Sequence, residues 1–301
     1  GIGKSPKRIF RANKTLWRCL TLATRIASGL IGGFLTLVIL LFNQNCLWII
    51  NLVTAIISFL AIREIFAVSG TDKLRLLTIP TSIFVTVLPL FGFSAMWELS
   101  FYFYNLMMFS SMILSKSIKL RDVCTVYSMA LLISYSLFKI VDLRNTSIEF
   151  GSFYVFLALC IAWMSDTGAY FSGKFFGKSK LCPEISPKKT FEGFIGGIIF
   201  CLFCVILIAL TFNSFVFPQK QHINYILVTI LGLSGSLISS LGDLCFSAFK
   251  RKCGVKDFGN LMPGHGGVLD RFDSVIFVVP YVYLFLKLSL IHISEPTRQA
   301  E

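Results

Sequence analysis

Between Gly242 and Asp273, ionisable side chains gather at the junction of two apolar runs. The segment reads Gly242-Asp243-Leu244-Cys245-Phe246-Ser247, passes through Lys250-Arg251 and Lys256-Asp257, and ends Pro263-Gly264-His265-Gly266-Gly267-Val268-Leu269-Asp270-Arg271-Phe272-Asp273. Asp243, Asp270 and Asp273 stand at the edges of the apolar runs, where an ionisable group is costly and its default reading is functional. If Asp270 opens the last helix, the spacing of three puts Asp270 and Asp273 on one face. Hard oxygen ligands so spaced suit Mg2+, which takes a few carboxylates together with substrate phosphates. Around them, Gly264, Gly266 and Gly267 allow backbone N–H groups to converge on an anion. Lys250, Arg251, Lys256 and Arg271 can neutralise phosphoryl oxygens, with arginine able to bind them bidentately. A basic loop at a membrane edge, with no further task, accounts for the lysines and arginines. It accounts poorly for the glycines, the histidine and the paired aspartates packed between Gly264 and Asp273.

A second polar segment precedes it. Ser165-Asp166-Thr167-Gly168-Ala169-Tyr170 and Gly173-Lys174 are followed by Ser186-Pro187-Lys188-Lys189-Thr190-Phe191-Glu192-Gly193. Small hydroxyls, glycines and lysines, which outnumber the carboxylates Asp166 and Glu192, can grip a triphosphate or a lipid phosphate. The Gly-Lys pairs do not make a Walker A loop, whose spacing is absent.

The elements that must position these residues are membrane helices. Of 301 residues, 55% are hydrophobic and 14% charged, against about 25% charged in a soluble domain. The expected fold is all-α: a polytopic transmembrane bundle of about nine spans with the N-terminus inside. The spans are expected near Ile26–Phe42, Cys46–Ile62, Leu76–Trp97, Phe101–Leu114, Cys124–Val141, Gly151–Met164, Phe194–Phe215, Asn224–Ser240 and Ser274–Lys287. With the N-terminus inside, Lys and Arg crowd the inner segments, while the outer loops hold only Arg144 and Lys220. Both polar segments, Ser165–Gly193 and Gly242–Asp273, then become long inner loops, read as two halves of one site. The chain divides into a basic cytoplasmic segment (1–25), N-terminal transmembrane helices (26–165) and a catalytic transmembrane region (166–287).

The net charge of +13 is read first as membrane orientation and then as attraction for anionic substrates. No zinc-finger or basic-aromatic module points to nucleic acid. The nine cysteines, among them Cys46, Cys160, Cys201 and Cys204, fall mostly inside apolar runs and read as small buried hydrophobes. His222 and His292 have no ligand partners nearby in sequence. No cleavable signal peptide is expected, and the absence of an initial Met predicts a fragment. The tail 288–301, beginning Leu-Ser-Leu-Ile-His-Ile-Ser-Glu-Pro-Thr-Arg, resembles translated adapter sequence and is expected to be non-native.

The pattern Ser247-x-Phe249-Lys250-Arg251-x4-Lys256-Asp257-x-Gly259-x3-Pro263-x-His265-Gly266-Gly267-Val268-x-Asp270-Arg271-Phe272-Asp273 resembles the signature of the phosphatidate cytidylyltransferases. The Asp166–Tyr170 and Ser186–Thr190 blocks resemble that family's other motifs, in the expected order, and the resemblance runs from about Arg25 to Lys287. Phe191 stands where the family often has Trp, and Met262 where it has another aliphatic residue. The resemblance implies an integral, multi-pass enzyme of the inner (cell) membrane with a cytoplasm-facing site. It implies transfer of the cytidylyl group of CTP to phosphatidate, with Mg2+ and room for a second monovalent cation such as K+. Asp243 and Asp270 would be metal ligands, with Asp273 a further ligand or supporting group. Ser247, Lys250, Arg251, Lys256, His265 and Arg271 would hold phosphates, with Gly264, Gly266 and Gly267 among them. Ser186, Lys188, Lys189 and Thr190 would meet nucleotide or lipid phosphate from the other segment. Membrane lipids are expected neighbours, and a homodimer is left open.

Two other readings compete. Other CTP-using lipid enzymes, such as polyprenol kinases and CDP-archaeol synthases, resemble the same C-terminal motifs less completely. A transporter would share the spans and the intramembrane charges, but would place its polar groups near the midplane rather than at one membrane face.

Overall fold

The computed structural model describes residues 48–91, 94–147, 150–216, 223–261 and 266–298. The expected first span, the basic segment before it, and both Gly264 and His265 lie outside the described residues. The rest is a helix bundle. Its order is α1 (Trp48–Ser69), α2 (Arg75–Phe91), α3 (Ser94–Leu114), α4 (Leu120–Asn145), α5 (Gly151–Phe176), β1 (Lys180–Cys182), β2 (Ser186–Thr190), α6 (Phe191–Thr211), α7 (Tyr225–Lys252), the single turn α8 (Leu269–Phe272) and α9 (Val275–Arg298). A π-helical turn, Phe212–Val216, extends α6. Each expected span after the first overlaps a helix, although Leu76–Trp97 runs past the end of α2 into α3, and six helical segments are long and apolar enough to cross a bilayer. Arg75–Phe91 is a shorter apolar helix with Pro80 and Pro89 inside it.

These helices are apolar on the outside, the inverse of a soluble protein. Along α1 the buried positions Ile50, Thr54, Ser58, Ala61, Ile62 and Ile65 form one stripe, while Leu52, Ile56 and Phe59 face outward. Such spacing is that of a helix with one packed face. Ile195, Ile199, Phe203, Leu207 and Leu210 of α6 are likewise exposed, as lipid-facing side chains require. Small and hydroxyl residues do the packing inside: Ser134, Ser165, Ser236 and Ser239 are buried. Gly197 of α6 sits against the Ser165 carbonyl and Ala169 of α5. Membrane helices associate through close packing of this kind, because apolar side chains gain little by leaving lipid for each other.

Each of the two expected long loops is helix in its first part. α5 continues through Asp166, Gly168, Tyr170 and Lys174 to Phe176, and α7 continues through Asp243, Ser247 and Lys250 to Lys252. The end of an apolar run marks where the chain leaves the hydrocarbon, not where the helix stops. At 26 residues, α5 is about 39 Å long, against roughly 30 Å of hydrocarbon core. What remains of the first segment is an antiparallel hairpin pairing Lys180 with Thr190 and Cys182 with Ser186. The irregular part of the second shrinks to the stretch between Lys252 and Leu269.

At the opposite end of the bundle, Arg144 of α4 donates to the Asn51 side chain of α1 at 3.0 Å. Lys139 pairs with Asp142 at 2.5 Å and lies over the Tyr283 ring of α9.

Candidate active site

One pole of the bundle gathers the polar ends of α1, α5, α6, α7 and α9. Between α5, the hairpin, α6 and α7 lies a cavity of about 290 Å3. Asp166, Ala169, Tyr170, Gly173 and Lys174 line it from α5, Lys188, Lys189 and Thr190 from the hairpin, and Ser240 and Asp243 from α7. Thr190 ends the hairpin by capping α6, its Oγ1 accepting from the Gly193 N–H at 3.1 Å. Glu192 in the first turn of α6 accepts from the Lys178 N–H at 3.0 Å and the Ser179 N–H at 3.1 Å. Carboxylates suit a helix N-terminus, and this one binds the entry strand to the helix that follows the exit strand.

Asp243 is held from both sides. Lys189 Nζ approaches its Oδ2 at 2.5 Å, and Ser247 Oγ donates to its Oδ1 at 3.3 Å. Two further carboxylates share its surroundings. Asp166 lies within electrostatic reach of Asp243 and Lys189, and Asp273 within reach of Asp243, Asp166 and Lys250. Ser274 Oγ donates to Asp166 Oδ2 at 2.8 Å and Ser239 Oγ to Oδ1 at 3.5 Å. Asp273, only 7% exposed, accepts from the Ser274 N–H at 2.8 Å. With Lys189 near Asp243 and Asp166, and Lys250 near Asp273, three carboxylates and two lysines share this anionic corner of the pole, and carboxylate oxygens are the hard donors a divalent cation takes. Among the described residues, no three carboxylate, imidazole or thiol side chains already meet as a ready ligand cluster.

Asp270 belongs to a separate arrangement. Lys250 Nζ donates to its Oδ1 at 2.7 Å, and the N–H groups of Phe258 and Gly267 donate to its Oδ2 at 2.8 and 2.9 Å. Lys250 also lies over the Phe258 ring. A carboxylate so fully engaged fixes the fold of its own loop. The expected backbone cradle is changed by the same contacts. The Gly267 N–H goes to Asp270, while those of Val268 and Leu269 go to Glu64 of α1 at 2.7 and 2.8 Å. These N–H groups are therefore occupied by protein carboxylates rather than turned to a ligand. Gly266 takes φ +87°, a left-handed conformation that glycine enters without steric cost, and this brings the chain back to Asp270.

The remaining expected residues separate into two groups. Ser186 begins β2, beside Lys188 and Lys189. Arg251 braces the hairpin, its Nε donating to the Ile185 carbonyl and an Nη to the Val255 carbonyl, both at 3.3 Å. Lys256 and Arg271 are exposed, and the Arg271 carbonyl accepts from Trp163 Nε1 at 3.3 Å. Sequence reasoning gave Asp166 no part in the metal set, and it passed over Glu64 altogether. The available signal for Glu64 was a lone carboxylate at the end of an apolar run.

The chain is similar to known proteins over most of its length. A family model described as the cytidylyltransferase family matches residues 23–289. The phosphatidate cytidylyltransferase of Bacillus subtilis is 36% identical over 236 residues, which is 74% of this chain and 84% of that protein. The phosphatidate cytidylyltransferases of Staphylococcus epidermidis and Staphylococcus aureus are each 48% identical over 136 residues, covering 45% of this chain and 50% of theirs. With a family model spanning most of its length and a relative matched over most of that relative's own, the chain belongs to the cytidylyltransferase family.

Proposed function

We propose that this chain transfers the cytidylyl group of CTP to phosphatidate, giving CDP-diacylglycerol and pyrophosphate in phospholipid synthesis. The observation that carries the reading is the lysine-lined cavity at one pole of a membrane bundle, in a chain of this family. A water-soluble nucleotide and a lipid headgroup can meet only at such a boundary. A phosphate oxygen of phosphatidate attacks the α-phosphorus of CTP, the bond from that phosphorus to the bridging oxygen breaks, and pyrophosphate leaves. Transfer of this kind is mainly positioning and charge neutralisation. Lys174, Lys188 and Lys189 neutralise phosphoryl oxygens in the cavity, while the hairpin and the α5–α6 packing keep them in register.

The fit of the anionic corner supports Mg2+ at Asp243 and Asp273, with Asp166 beside them. Asp270 joins only by giving up Lys250. Mg2+ would supply charge neutralisation on the phosphates, and a monovalent cation such as K+ is a further candidate. Release of Lys189 from Asp243 would free an ammonium for substrate phosphate. The same reading takes nine spans, an inside N-terminus and a cytoplasm-facing site in the cell membrane, supported by the distribution of Lys and Arg. Homodimerisation stays open. In purified protein, pyrophosphate release is expected to require CTP and phosphatidate together. Release with CTP alone, at the same rate, would contradict the proposal.

A further inference from the structure

Glu64 sits in α1, more than two hundred residues before the loop it binds, among the buried side chains Ala61, Ile62, Ile65 and Phe66. Its two oxygens accept from two successive backbone N–H groups, Val268 and Leu269, at 2.7 and 2.8 Å. These donors open α8, where a helix has no internal acceptors for them. The next N–H back, Gly267, goes to Asp270. A Cβ on Gly267 would come within 2.5 Å of Glu64 Oε1 and 2.6 Å of its carboxyl carbon, closer than real side-chain contacts reach. The glycine at this position is thus explained by the carboxylate packed against it. No other described side chain of the N-terminal half is hydrogen-bonded to this loop.

We propose that Glu64 is a positioning residue for cytidylyl transfer: it pins the turn Gly267–Leu269, and through that turn sets Asp270 in α8 and Asp273, which follows directly on α8. The role rests on the function proposed above. Both bonds are charge-assisted and so are strong for backbone contacts. Glutamine keeps one acceptor but turns an NH2 donor toward the other backbone donor, so it retains half of the latch. Alanine removes both bonds and leaves two N–H groups unpaired. Glu64 is not among the residues that line the cavity, so its loss is read in turnover per folded molecule and not in substrate affinity.

The test uses the full-length protein in detergent, with kcat normalised to folded protein, KM for both substrates, and amide exchange followed along the chain. Glu64→Gln is expected to lower kcat about tenfold and Glu64→Ala about a hundredfold, with KM changed less than about threefold. Exchange of residues 266–270 is expected to quicken in both, while the rest of the chain is unaltered. Gly267→Ala is expected to resemble Glu64→Ala, yet to add less than about threefold in the Glu64→Ala background, because the collision disappears with the carboxylate. Should Glu64→Ala not fold, Glu64→Gln and Gly267→Ala decide. Unchanged exchange at 266–270, full turnover with quickened exchange, or independent effects in the double variant would each overturn the proposal. A wild-type protein making no CDP-diacylglycerol would instead overturn the function reading, and is read without reference to the exchange.

Discussion

Asp243 connects the two polar segments, because its carboxylate meets Lys189 of the hairpin and Ser247 of its own helix. Asp243→Asn keeps the shape and one acceptor but removes the charge, so Lys189 loses its partner and the proposed cation a ligand. Turnover is expected to fall at least about a hundredfold, the scale of one strong transition-state contact, with the protein still folded. Asp257→Asn, on an exposed side chain, is expected to stay within about threefold, roughly the neutral range for surface changes. EDTA is expected to abolish wild-type activity and Mg2+ to restore it. Assays of both variants with and without chelator check this, and full activity in Asp243→Asn or in metal-free protein would contradict it. At this scale the sequence was only partly legible. Asp243 and Asp270 stood out as charges beside apolar runs, but which carboxylates share a site depends on helix ends meeting in space. Proximity in sequence paired Asp270 with Asp273, whereas the fold engages Asp270 with Lys250 and gives Asp273 the company of Asp166 and Asp243.

The hairpin is the element that presents Lys188 and Lys189, and it is tied to the bundle at a few points. One is Arg251 on α7, which reaches the Ile185 carbonyl. Arg251→Lys keeps the charge and loses the planar fork that serves two carbonyls at once. With about 1 kcal/mol per hydrogen bond, amide exchange in 180–190 is expected to quicken about fivefold while α7 stays unaltered. Exchange unchanged in the hairpin would show that Arg251 does not brace it. Helices α1 to α7 and α9 were legible as apolar runs, but their ends were not. Hydropathy falls at Ser165 and at Gly242, yet neither place carries a proline, and one glycine costs a helix only about 1 kcal/mol, so α5 and α7 run on. The hairpin left no readable pattern either. Its strands are short, Pro187 stands inside the second, and Lys188 and Lys189 lie side by side there where a strand would alternate apolar residues.

For the whole molecule, the all-α membrane class was legible from composition and run length together, because lipid admits only helices or a closed barrel, and continuous apolar runs of this length are helical whereas barrel strands alternate. The pole-to-pole arrangement was legible from charge. The same logic makes a topological prediction. In a cysteine-depleted background, cysteines at Lys178 and Lys256 are expected to label from the cytoplasmic side and one at Thr146, at the far end of α4, from the other. Labelling of 178 and 256 from opposite sides would break the single-site account. The reaction itself is tested most directly by where each phosphorus of CTP goes. Purified protein with phosphatidate-containing micelles is given CTP labelled at the α-phosphorus or at the γ-phosphorus. The account predicts α label and cytosine in the lipid product, with the γ label leaving as pyrophosphate. Appearance of γ label in the lipid would identify a kinase and contradict cytidylyl transfer.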